Sequence, residues 1–452
     1  MNTVEERIRA AAKAAADTVP AGRVPPLQLP PAPGRRYVTD RQRQRVRWLA
    51  PAAAAVGVVA VFVGALAVAG QTAGPASRTH GTRVAKFPGG GRILLSGDAG
   101  SQWLYADGKT TTALAGFTGA SLADGSRGLL AWRPTQNARA QPSCGGCSAN
   151  VGYYVLALGG TSRRLVLPAD LTAKRGNQVV HEDVQLAPGG AALGYIRLEV
   201  STNGSPLSAQ LWTRNLATGA SADLGPVPSY AAFVWQNQST IVAQSHDLRS
   251  LVSINATTGA HSQLISVSSP RIVHAFQQAR PGAGMPTLIT PLGVSQAAGH
   301  PMLAVDLTAA ARNGSVVNDV VAFLSGGSVT AYAPGGPRAH QSLTLGPNGY
   351  FAILTTTSPS GCPPLNGAAY VGNVRTRHLA RVPVTGKTMI VGGGPAAAAF
   401  SPGGRYLAVD YQGLMTFTRT PAIASLTAGS GYPAHFVATA FDFGKTLQGW
   451  AH

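Results

Sequence analysis

At 452 residues, with 45% hydrophobic and only 12% charged side chains, the chain can bury a large core and falls outside the disordered class. Its net charge of +19 favours anionic partners such as lipid headgroups or cell-wall polymers, although only six of the 36 basic residues are Lys, and Arg alongside abundant Ala, Gly and Pro is also the imprint of a GC-rich coding genome. The basic residues are scattered singly with no recognition module, which argues against nucleic acid, and three cysteines are too few for a disulfide-built scaffold.

Residues 1–48 form a basic arm with ten basic and four acidic residues. Thr3 and Glu6 make a capping box, and Val4, Ile8, Ala11, Ala15 and Val19 recur at helical spacing, predicting a short helix that ends before Pro20. Its apolar stripe is narrow and mostly Ala, so it needs a protein partner in the cytoplasm or a membrane surface to be stable. Pro25, Pro26, Pro30, Pro31 and Pro33 then impose an extended spacer, because proline lacks the amide donor of helix and sheet ladders.

Leu49 to Gly70 contains no charged side chain. A helix of this length rises about 33 Å, enough for a hydrocarbon core of about 30 Å, and predicts a single transmembrane helix. Arg41, Arg43, Arg45 and Arg47 precede it, with Trp48 at the boundary. Basic residues concentrated on this side place the N-terminus in the cytoplasm and the remaining residues outside, on a bacterial cell membrane. Ala67-Val68-Ala69 before Gly70 resembles a signal cleavage site, but the long basic lead and an apolar run beyond the usual 7 to 15 positions or so favour a retained anchor. Ala53 with Gly57, and Ala60 with Gly64, have a spacing that lets helices approach closely.

A polar linker over 71–84 leads to 85–452, where short apolar or alternating runs are separated by Gly, Pro, Asn and Asp turns. This pattern predicts an all-β domain, with a single helical turn at Ala309 to Arg312. One phrase recurs: a tight Pro/Gly turn followed by an apolar run. It is seen at Pro88-Gly89-Gly90 before Ile93-Leu94-Leu95, Ala123-Asp124-Gly125 before Leu129-Leu130-Ala131-Trp132, Ala187-Pro188-Gly189-Gly190 before Leu193-Gly194-Tyr195, Gly346-Pro347-Asn348-Gly349 before Phe351, and Phe400-Ser401-Pro402-Gly403-Gly404 before Tyr406-Leu407-Ala408-Val409. Weaker echoes sit at Trp235 to Val242 and Phe441 to Leu447. Proline presets the turn's first dihedral, glycine supplies a positive φ, and the apolar run becomes an inner strand buried between neighbours. Asn215 to Gly219 and Asn255 to Gly259 read as hairpin turns between outer strands. A gap of 111 residues between Gln238 and Gly349 must hide another unit, near Thr287 to Leu307.

The phrase at Phe400 to Val409 resembles that of WD40-like and TolB-like β-propellers, with Gly189, Asn348 and Gly403 where those families carry Asp. The resemblance implies a propeller of six to eight blades, seven favoured. It also implies closure of the ring by terminal strands: the last copy leaves too few residues for a blade, so strands within Val84 to Tyr105 should complete it.

Chemistry is sparsely signalled. Cys144 or Cys147 could pair with Cys362, the Cys144-Gly145-Gly146-Cys147 loop could close on itself, or the thiols could stay free; a metal would want about four ligands, and no second Cys or His pair supplies them. His181-Glu182-Asp183 and His246-Asp247 are the densest polar groups, lining a central mouth or, as the simpler expectation, standing in solvated loops. No G-x-S-x-G, H-E-x-x-H, P-loop or EF-hand pattern is present, and no cofactor is expected. The reading that follows is a non-catalytic, membrane-tethered binding module for an extracytoplasmic protein, glycan or envelope component, with an extracytoplasmic hydrolase or lactonase as the alternative. A cytoplasmic arm joined to an outer module is similar in outline to bacterial membrane anti-sigma factors and suits signalling, but the arm lacks their H-x-x-x-C-x-x-C motif.

Overall fold

The structure is a computed structural model and describes residues 91–451, apart from connecting segments of which the longest are 135–150, 358–365 and 386–393. The arm, the apolar segment Leu49 to Gly70 with Arg41, Arg43, Arg45, Arg47 and Trp48, and the linker lie outside the described residues. Among the described residues no helix is long and apolar enough to cross a membrane.

Strands follow one another as antiparallel neighbours. Blade 1 takes β1 (Arg92–Gly97), β2 (Gly100–Tyr105) and β3 (Thr110–Thr112); blade 2 is β4 (Gly119–Leu122), β5 (Gly128–Pro134), β6 (Val151–Ala157) and β7 (Arg163–Leu167). Blade 3 is β8 (Gln178–Leu186), β9 (Ala192–Val200), β10 (Pro206–Asn215) and β11 (Ser221–Pro226); blade 4 is β12 (Phe233–Trp235), β13 (Thr240–Gln244), β14 (Ser250–Asn255) and β15 (His261–Ser266). After helix α1 (Pro270–Ala279), blade 5 is β16 (Leu288–Ala297), β17 (His300–Ala310), β18 (Val316–Ser325) and β19 (Ser328–Tyr332). Blade 6 is β20 (Ala339–Leu345), β21 (Tyr350–Thr357), β22 (Asn366–Asn373) and β23 (His378–Arg381). Blade 7 holds β25 (Gly394–Phe400), β26 (Tyr406–Gln412), β27 (Thr418–Ser425) and β28 (Ala434–Phe436), with β24 (Val384–Thr385) added parallel to β28 and β29 (Phe441–Asp442) beside β27.

The last strand, β30 (Lys445–Ala451), pairs with β1 and completes blade 1. The ring is therefore a seven-bladed propeller closed by its terminal strands, as the sequence predicts. The first strands stand side by side around the axis: β30 beside β4, β8 beside β12, β12 beside β16, β16 beside β20, β20 beside β25 and β25 beside β30. The chain's break falls where other blades have their first turn. Gly91, at φ +75°, sits so close to the other end that a Cβ would lie 2.3 Å from the carbonyl of Ala451; the closure demands glycine there.

The recurring turn joins the first strand of a blade to the second, as at Ala187 to Gly190, where Gly189 and Gly190 adopt φ of 82° and 71°. The apolar runs are the second strands, one place out from the axis. Alternation along them sends successive side chains to opposite neighbours: Ile93 packs towards blade 7 and Leu94 towards blade 2. Seven apolar seams result, one between each adjacent pair of blades. The outer hairpins form as expected. Asn215 Oδ1 accepts from the amides of Ala217 (2.8 Å) and Thr218 (3.0 Å), and Asn255 Oδ1 repeats the arrangement with Thr257 and Thr258, both at 2.9 Å.

Two expectations need correction. The unit hidden in the long gap is present as β16 and β17, but Ala309 and Ala310 lie in β17 and not in a helical turn: Ala309 is buried and paired opposite Asn318, and tertiary pairing overrides alanine's helix preference. Conversely, Pro270–Ala279 is a helix. Pro270 at its start is a permitted first-turn residue, and Ile272, Ala275 and Phe276 bury one face; ten residues containing Ile272-Val273 gave too short a period to read. At the echo after Phe441 the turn leads from Phe441–Asp442 on blade 7 into β30, whose buried Leu447 and Trp450 make it the expected inner strand.

Candidate functional site

Polar side chains on and near the inner strands reach across the seams. Gln185 Nε2 of β8 donates to the carbonyl of Phe233 in β12 at 2.9 Å, and Gln244 Nε2 of β13 donates to the carbonyl of Ile289 in β16 at 2.6 Å. Gln341 Nε2 of β20 donates to the carbonyl of Asp319 in β18 at 2.9 Å, and Tyr153 of β6 donates to the carbonyl of His181 in β8 at 3.1 Å. Thr213 Oγ1 of β10 adds a bond to the carbonyl of Ala256 at 2.8 Å, and the Ser96 hydroxyl accepts from the amide of Ala120 in blade 2 at 2.9 Å. Each bond satisfies a carbonyl or hydroxyl that the blade-to-blade packing would otherwise desolvate.

His181, Glu182 and Asp183 stand on β8, so they belong to an inner strand and not to the solvated loop expected from composition. The misreading has a local cause: Asp183 adopts φ 49° at a bulge between Glu182 and Gln185, so a charged triplet interrupts a strand that otherwise pairs regularly with β9. His181 meets Tyr195 edge-on at 5.0 Å, and Gln185 Nε2 donates to Asp183 Oδ1 at 2.9 Å. Burial, reinforced by the Glu182 charge, pushes the Tyr153 phenol up to about 12.

His246 and Asp247 are exposed in the turn between β13 and β14, in agreement with the loop expectation. Asp247 Oδ1 accepts from the Ser245 hydroxyl (2.6 Å) and the Arg249 amide (2.9 Å), and these bonds hold its carboxyl below the ordinary range. The pair closes a turn, on a different blade from His181. Cys144, Cys147 and Cys362 lie outside the described residues.

A third polar group was not singled out by the sequence. At one end of the seam between blades 5 and 6, Asp306 and Thr308 of β17, Asp319 of β18 and His340 of β20 come together. The Thr308 hydroxyl donates to Asp306 Oδ2 at 3.3 Å, and His340 Nδ1 lies 3.6 Å from Asp319 Oδ2. Asp319 is buried while His340 is half-exposed. The facing Asp319 carboxylate, joined by the charge of Asp306, outweighs burial and raises the His340 pKa above the usual histidine value. Beyond Asp319, Arg280 at the end of α1 donates to the carbonyls of Gly335 (2.6 Å) and Gly336 (3.2 Å). No signal in the sequence marks this group, since its members are single acids and a single His on three strands. Among the described residues, no group of three or more His, Cys, Asp or Glu side chains is placed to hold a metal ion.

No known family's sequence profile matches the chain, and no curated protein matches it. Solved structures resemble it at very low identity. TolB from Acinetobacter baumannii is 11% identical over 78% of this chain and 78% of its own, with a TM-score of 0.39. An acylaminoacyl peptidase of Pyrococcus horikoshii is 9% identical over 77% of this chain and 53% of its own (TM-score 0.48), and a prolyl endopeptidase is 12% identical over 72% of this chain and 43% of its own (TM-score 0.47). The chain thus spans about half or less of the length of those peptidases. The blade count comes from the strand pairing alone.

Proposed function

We propose that this propeller is a non-catalytic binding module, held outside a bacterial cell by the apolar segment Leu49 to Gly70, with its basic arm left in the cytoplasm. The observation that carries the reading is the use made of the polar side chains at the seams between blades. Gln185, Gln244, Gln341, Thr213 and Tyr153 each donate across a seam into a carbonyl of the adjoining blade, and so serve the ring as fasteners. A rigid ring fastened this way holds its turns and connecting segments in fixed positions, which suits recognition of a partner by loops on a scaffold. The chain's net charge of +19 favours an anionic envelope polymer, glycan or acidic protein as that partner. The arm, tethered across the membrane, is then available to a cytoplasmic protein, which would make the whole a signalling device.

The test uses the full chain. Protease added to intact spheroplasts should remove a C-terminal tag on the propeller while sparing an N-terminal tag, and the detergent-solubilised protein should sediment with an anionic envelope fraction in a salt-sensitive way. Survival of the C-terminal tag until the cells are lysed would end the topological reading. Turnover of ester, lactone or peptide substrates by the purified chain would replace the binding module with the hydrolase alternative.

A further inference from the structure

We propose that His340, Asp319 and Asp306 form a proton-controlled latch across the seam between blades 5 and 6, closed when the imidazole is charged and released when it is neutral. The inference rests on packing across one seam and does not depend on the binding reading. Asp306, Thr308 and Asp319 share the face of blade 5 that carries Ala304, Val321 and Phe323, the face against which blade 6 packs. The seam is apolar along most of its length: Phe323, Tyr332 and Phe351 meet with ring centroids 4.8 to 6.0 Å apart. At its other end the apolar contact gives way to two carboxylates and one imidazole. Asp319 Oδ1 is buried without a hydrogen-bond partner, so its charge is compensated chiefly through Oδ2, which faces His340.

The surrounding groups leave His340 as the switch. Asp319 comes from β18, Asp306 from β17, and Arg280 from the end of α1, where it interacts with Asp319 while its guanidinium is occupied by the carbonyls of Gly335 and Gly336. The other strands against β20, namely β16, β21 and β25, bring no acid or base except Tyr350. With the imidazolium present, two carboxylates face two cations; with neutral imidazole, one buried carboxylate loses its partner. The folded His340 pKa is raised above the unfolded value of about 6.5. Stabilisation is therefore complete below that value and is lost as pH rises through the higher folded one. Loosening begins where β20 leaves the connection 333–338, so an alkaline shift frees one sector of the ring and leaves the remaining six seams packed.

The full-length protein in detergent tests this through thermal unfolding and hydrogen exchange between about pH 6 and about pH 9, a range spanning the histidine titration. His340→Gln should lower Tm at the acid end only, so that its deficit against wild type closes towards the alkaline end. His340→Lys, which keeps a charge throughout, should retain at the alkaline end the acid-like Tm and the acid-like protection of 339–345 relative to the intrinsic exchange rate. His246→Gln, on the exposed turn of blade 4, should follow wild type at every pH. A His340→Gln deficit that is absent or unchanged across the range, or a His340→Lys protein whose protection over 339–345, taken relative to the intrinsic base-catalysed rate, falls with pH as wild type's does, would overturn the latch.

Discussion

Blade 6 has two faces, and they are held by different physics. Towards blade 7, Ala352, Leu354, Ala369 and Val371 meet Phe400, Leu407, Val409 and Ala422, and the phenol of Tyr411, pushed by burial to about 12, stays neutral under ordinary conditions. Towards blade 5, Phe351 and Ile353 meet Phe323 and Val321, but the contact ends in Asp306, Asp319 and His340. Burial of apolar area is indifferent to protons, whereas a buried carboxylate is tolerated only while something compensates it. One blade is thus fixed on one side and adjustable on the other.

Truncation of the apolar side should have the largest effect. Leu354→Ala, at a fully packed position, is expected to destabilise by about 2–5 kcal/mol, and the loss in urea midpoint should be the same at acid and alkaline pH. A pH-dependent loss there would erase the contrast between the faces. Gly372→Ala comes next: its Cβ would lie 2.3 Å from Phe351 Cζ and 2.8 Å from the carbonyl of His378, so overpacking should cost about 1–3 kcal/mol, read by the same denaturation. Thr213→Val, away from blade 6, removes the bond to the carbonyl of Ala256 and should cost about 1 kcal/mol with no pH dependence. The smallest effect belongs to His340→Gln, whose Tm deficit should be confined to the acid side of the histidine titration. Finding the same pH-confined deficit in a variant of the blade 7 face would show that the two faces do not differ.

What the sequence made legible follows the same division between local and distant constraints. The turn at Ser401 to Gly404 can be read because a reversal of that kind needs Pro and Gly in fixed places, and ring closure by terminal strands follows from the resemblance to propellers that such turns carry. The first turn of blade 5 had no such signature: the residues joining β16 to β17, at 298–299, include one Gly and no Pro, so the blade was inferred from a gap. Helix α1 was missed because its buried stripe of Ile272, Ala275 and Phe276 spans too few turns. The polar group at the seam was invisible for a different reason. Asp306, Asp319 and His340 meet only because β17, β18 and β20 fold together, while His181-Glu182-Asp183 drew notice through adjacency in sequence and lies on a strand around a bulge.

Every seam described above depends on the ring being closed, and closure rests on seven residues at the end of the chain. Hydrogen exchange of the amides in β30 measures this directly. Pairing with β1 predicts that those amides of β30 that point towards β1 exchange as slowly as the core strand β26, through global unfolding, although the strand is the last of the ring. Exchange at the rate of an unstructured tail, with Tyr406 to Gln412 still protected, would show an open ring and contradict the account.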